Sequence, residues 1–148
     1  MSRVFTSIAI ACPVGRVFAY VTTPGHWPEW HPSSLAVRGA TDHPLAVGER
    51  VTEDIRVAGV RATAEWTVRE RDEPRRWVIE GTVVRGGGVL TYTLSPTPVG
   101  ALFEREFVYT LASPLLRLLD PLVIRPRIVA ESRRALARLR RRLEQPGR

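Results

Sequence analysis

The 148-residue chain has no lysine, one methionine and a single cysteine, Cys12. One cysteine excludes an internal disulfide and every multi-cysteine metal site, and it suits a reducing cytoplasm. Long hydrophobic runs are also missing. The most apolar stretch, 114–124, is about half the ~20 residues that a membrane-spanning helix needs, and Arg117 and Asp120 interrupt it. The first residues lack the basic region, apolar core and small-residue cleavage site of a secretory signal, so a cytoplasmic location is expected. Histidine is scarce: of three, His26 and His31 flank Glu29, but the spacing is not that of a zinc site and Pro28 and Pro32 constrain the rings. No metal and no cofactor are expected. Ser7, Ser33, Ser34 and Ser132 have no recognisable histidine and acid partners, which leaves nucleophilic catalysis without support.

What is present describes an ordinary globular chain, 44% hydrophobic and 25% charged, of a length that fits one domain over residues 1–148. The net charge of +7 is confined to one end. Residues 1–124 hold 13 Arg against 13 acidic residues, whereas 125–148 hold 9 Arg against Glu131 and Glu144 alone. Arg133, Arg134, Arg138, Arg140, Arg141 and Arg142 could form an anion-binding surface, but a solvated helix face is the preferred reading and no specific nucleic-acid partner is expected.

Residues 4–10 alternate as a first strand, and Cys12-Pro13 opens a helix whose Val14, Val17, Phe18 and Val21 recur at helical spacing. Thr23-Pro24 repeats the start signal, giving a second short helix with His26, Trp27 and Trp30; the rigid segment 27–32 is expected to plug the mouth of a cavity. Period-two segments follow at 35–39, 49–57, 60–71, 76–84, 88–95 and 101–111. Their links, at Ala58-Gly59, 72–74, Gly86-Gly87 and 95–98, are short, as in an antiparallel meander. Ser113-Pro114 starts a helical segment that Pro121 and Pro126 should break, leaving a final helix at 126–143 with Val129, Ser132, Leu136, Leu139 and Leu143 on its apolar face. The fold class is α+β: a curved antiparallel sheet of about six to seven strands around a long C-terminal helix, with two short helices after the first strand.

Residues 10–21 (IACPVGRVFAYV), 27–33 (WPEWHPS), 47–51 (VGERV) and 66–68 (WTV) resemble the START-like helix-grip superfamily, within it the SRPBCC group of polyketide cyclase/dehydrase and lipid-transport proteins. The resemblance spans nearly the whole chain. It implies the helix-grip fold and a choice among cyclases, lipid or sterol carriers and hormone receptors, which the fold alone does not decide.

Alternation places Glu53 on the inner face with Val51, Ile55 and Val57, and Arg105 on that of the last strand with Phe103, Phe107 and Tyr109. A buried unpaired charge is costly, so Glu53 and Arg105 should pair, meet a ligand or reach solvent at the rim. Together with Trp66, Trp77, Tyr92, Phe103, Phe107, Trp30 and His31 they are the candidate ligand contacts. Three readings follow: a carrier or binder of a hydrophobic or aromatic small molecule, a polyketide cyclase-like enzyme using Arg105, Tyr92 or Glu53, and an interaction module built on the arginine-rich helix.

Overall fold

The structure, a computed structural model, describes residues 1–57, 59–84 and 86–145. Seven strands form one antiparallel sheet. In spatial order they are β1 (Ser2–Ile10), β7 (Gly100–Leu111), β6 (Gly86–Thr97), β5 (Arg76–Val83), β4 (Val60–Asp72), β3 (Arg50–Val57) and β2 (Ser34–Gly39). Between β1 and β2 lie α1 (Val14–Val21) and, entered through a 3-10 turn at Pro24–His26, the single turn α2 (Trp27–Trp30). Bulges between Val68 and Glu70 and between Ser34 and Ala36 sharpen the bend of the sheet. Its concave face is the apolar one: Val51, Ala64, Trp66, Trp77, Ile79, Leu90, Leu94 and Phe103 are buried there, as alternation requires.

Two expected turns shift. Gly86 and Gly87 already belong to β6 and pair with Leu111 and Thr110, and β6 also runs on through Pro96, which pairs with Ala101. The turn expected at Ala58-Gly59 includes Ala58, which lies outside the described residues.

The C-terminal segment corrects a second expectation. Pro121 and Pro126 do not break it: α3 (Pro114–Leu119) passes through a π turn at Asp120–Ile124 into α4 (Arg125–Glu144). Each proline is the second residue of its element, Pro121 entering the π turn and Pro126 leaving it, and the wider π turn carries the segment past both missing N–H donors. Buried Asp120 pins the π turn by accepting hydrogen bonds from Tyr109 Oη at 2.5 Å and from Ser2 Oγ. Ile128, Ser132, Ala135, Leu136, Leu139 and Leu143 face the sheet; Val129, expected in that stripe, is half-buried beside Ile128. Leu139, with no exposed surface, contributes roughly 1.5–3 kcal/mol by burial.

The far end of α4 is stapled. The Ala11 N–H donates to Glu144 Oε2 at 2.8 Å, and Arg142 Nε donates to the Glu29 carbonyl at 3.2 Å. Arg140 pairs with Glu144 within α4, whereas Arg142, another of the candidate anion-binding arginines, ties the helix to Glu29. Among the described residues no helix is long and apolar enough to cross a membrane.

Candidate functional site

Anchored at both ends, α4 leaves a cavity of about 80 Å³ between its first half and the concave sheet. Glycine makes the room. Gly81 stands directly across from Trp66, and a Cβ there would lie 2.5 Å from the indole ring; a Cβ on the neighbouring Gly88 would lie 2.7 Å from the Phe107 ring. Trp66 and Phe107 therefore lie against the sheet over a strip without side chains, and the wall recedes. Ile55, Ile79 and Leu90 complete the apolar lining on the sheet side, and Ile128 closes it from α4.

Glu53 and Arg105 are both buried in this wall, each 8% exposed. They do not form a direct ion pair among the described residues. Instead Trp66 Nε1–H donates to Glu53 Oε1 at 3.0 Å, and Arg105 Nη1 donates to Ser132 Oγ at 3.1 Å. Burial pushes the Glu53 carboxyl above the ordinary range, against the opposing pull of Ser34, Trp66 and the Arg105 charge. Tyr92 is cross-strand from Arg105, and burial pushes its phenol up to about 12.

The polar inventory of the site is incomplete. Trp27, Trp66 and Trp77 each donate their indole N–H, to Val21 O at 2.9 Å, to Glu53 and to Leu45 O at 3.1 Å, whereas enclosed Trp30 Nε1 has no partner. Arg105 Nε and His31 Nε2 are likewise enclosed without one. The His31 ring accepts the Ser33 N–H on Nδ1 at 3.1 Å, and burial and the charges of Arg105 and Arg138 hold its pKa well below the usual value. Its neutral form therefore carries the proton on Nε2.

Placement of the candidates separates them. Glu53, Trp66, Tyr92, Arg105, Phe107, Trp30 and His31 line the cavity. Trp77 and Phe103 do not: both are fully buried and pack behind Tyr92, at ring-centroid distances of 5.4 and 5.0 Å. The 27–32 segment forms part of the cavity wall: Trp27, Trp30 and His31 line it, and Trp30 is at the same time a core residue packed edge-on to Phe103. His26 turns away, stacked on Tyr20 at 4.3 Å and facing Glu29. Among the described residues no three His, Cys, Asp or Glu side chains are placed to hold a metal.

Residues outside the expected set also matter. Ser33 Oγ donates to Glu131 Oε2 at 2.7 Å, tying the segment after α2 to α4 beside the cavity. Ser132 was visible as the one polar residue in the apolar stripe of α4; Ser33 and Glu131 carried no comparable signal.

Comparison with known proteins places this geometry. No curated protein matches the chain. Solved structures do, at low identity. A protein from Thermus thermophilus superposes with a TM-score of 0.77 at 16% identity, covering 96% of this chain and 97% of its own. A START superfamily protein from Mycobacterium smegmatis gives 0.75 at 16% identity, covering 97% of each. A protein of the dynemicin biosynthetic locus gives 0.70 at 15% identity, covering 97% of this chain and 47% of its own. These establish the START-like fold. The profile described as polyketide cyclase / dehydrase and lipid transport matches residues 1–144, and the chain belongs to that family.

Proposed function

We propose that this protein binds or carries a compact hydrophobic or aromatic molecule in the cavity between α4 and the sheet. The observation that supports this reading is the glycine strip at Gly81 and Gly88, which keeps Trp66 and Phe107 from filling a space where polar groups stay unpaired. A site built only for stability would close the void or satisfy those groups, since each orphaned buried donor costs about 1–3 kcal/mol.

Size narrows the occupant. An apolar cavity of about 150 Å³ accommodates benzene, so roughly half that volume admits one ring only with some outward movement of Trp66, Phe107 or α4. A sterol or a long acyl chain would demand far more. The Ser33–Glu131 and Arg105–Ser132 hydrogen bonds are the polar contacts to α4 that its movement would strain.

A cyclase-like activity is the second reading, favoured by the cross-strand placement of Tyr92 and Arg105 in the cavity wall. With its phenol raised to about 12, Tyr92 would serve as a hydrogen-bond donor to a developing enolate rather than as a base, and Arg105 would stabilise the charge.

Tryptophan fluorescence and thermal shift against a panel of fatty acids, sterols, quinones, polycyclic arenes and single-ring arenes test the binding reading. At least one ring compound should perturb the emission and raise Tm with micromolar affinity, about 8 kcal/mol. If no compound does so, the interior is only a packing defect.

A further inference from the structure

The three orphaned donors belong to one neighbourhood. The Trp30 and His31 rings lie with centroids 5.7 Å apart, Trp30 and Tyr92 with centroids 6.4 Å apart, and Tyr92 faces Arg105 across the β6–β7 ladder. Each residue lines the cavity. Arg105 Nε–H and Trp30 Nε1–H are donors by covalent structure, and His31 Nε2–H is a donor because Nδ1 accepts from Ser33. Nothing among the described residues accepts from any of the three. The neutral contacts of Arg105, Ser132 Oγ and the Tyr92 phenol, leave its charge without a carboxylate at contact distance. Buried cations without such a counter-ion are expensive.

Resting on the cavity reading above, we propose that the site takes a carboxylate: a single-ring aryl carboxylate whose oxygens accept from Arg105, His31 and Trp30 while its ring packs on Trp66 and Phe107. A carboxylate has two oxygens with about four acceptor positions and no donor, matching an all-donor cluster that carries one positive charge. The two acids of the wall do not oppose this. Glu53 already accepts from Trp66, and its burial favours the protonated, neutral form; Glu131 is half-buried and engaged by Ser33. An incoming carboxylate would supply the counter-charge that Glu53 does not.

Benzoate and its near-isostere benzamide, titrated into the intact protein with tryptophan emission and calorimetry as readouts, test the proposal. Benzoate should bind at least tenfold more tightly. Arg105→Met, its fold checked by thermal melting, should erase that preference, because benzoate loses its charge partner whereas the benzamide carbonyl loses only the hydrogen bond of a neutral acceptor. Trp30→Phe removes the donor together with the five-membered ring of a buried indole, a packing change that both ligands share; it should weaken benzoate severalfold more than benzamide, which provides a second test should Arg105→Met fail to fold. Equal affinities, or a preference that survives both donor substitutions, would overturn the carboxylate assignment. If benzamide and neutral arenes bind but benzoate does not, the cavity reading stands and this one fails; if no arene binds at all, both fail together.

Discussion

His31 should make the protein sensitive to mild acid, and replacing it by Asn should remove that sensitivity. The ring is held neutral in the folded state by burial first and by the charges of Arg105 and Arg138 second, whereas in the unfolded chain it titrates near 6.5. The folded pKa is depressed, so the stabilisation is present above the unfolded value and is lost as pH falls below it. One proton taken up only by the unfolded chain costs about 1.4 kcal/mol per pH unit, giving about 1.4 kcal/mol between roughly pH 7.5 and 5.5. For a chain of this size that is a drop in Tm of about 3–6 °C. In His31→Asn the side-chain oxygen can still accept the Ser33 N–H, and no proton is gained. His43 and Glu53 also titrate with shifted values, but they are common to both proteins and cancel in the difference. Urea melts of the two proteins at both pH values measure it. If the wild type and His31→Asn lose the same stability on acidification, the ring is not held neutral in the folded state and the tautomer assignment falls with it.

The other predictions follow from single contacts. Gly81→Ala places a Cβ against Trp66, so the indole should be driven into the cavity, costing about 1–3 kcal/mol in chemical denaturation and abolishing arene binding in the same fluorescence titration. Glu53→Gln should show the opposite pH trend to His31: the raised carboxyl loses stability as pH climbs above its unfolded value near 4.5, so the variant should gain on the wild type between acid and neutral melts. Tyr109→Phe leaves an oxygen of buried Asp120 without its donor and should cost about 1–3 kcal/mol, with faster amide exchange in the π turn. Any nucleic-acid or anionic-vesicle binding should fall steeply with salt and disappear when exposed Arg133, Arg134 and Arg141 become Gln, without change in Tm; binding that persists at high salt would require a specific site.

Which residues face inward was legible in the sequence; how deep they lie was not. Period-two alternation assigns a face, and the buried Glu53 and Arg105 follow from it because every second neighbour on their strands is apolar. Alternation is silent about position along the strand. Trp77 and Tyr92 share a register pair, yet only Tyr92 reaches the cavity, because the loop carrying Leu45 accepts the Trp77 indole and covers that end. The helix shows the same limit in another form. Counting back from Ser132 by three gives Val129 and by four gives Ile128, both compatible with one apolar stripe, and only the crossing of α4 over the sheet selects Ile128. The donors of Trp30 and His31 were hidden for a third reason. Proline at 28 and 32 signals rigidity but not direction, and the segment turns its rings inward because His31 N–H closes α2 on the Trp27 carbonyl and Ser33 ties the chain to α4. A polar group is read from sequence as satisfied or not only when its partners are local. Here the would-be partners lie on strands and helices far apart in the chain, so the unmet donors, the feature from which the ligand chemistry is argued, emerge only once the sheet and α4 are brought together.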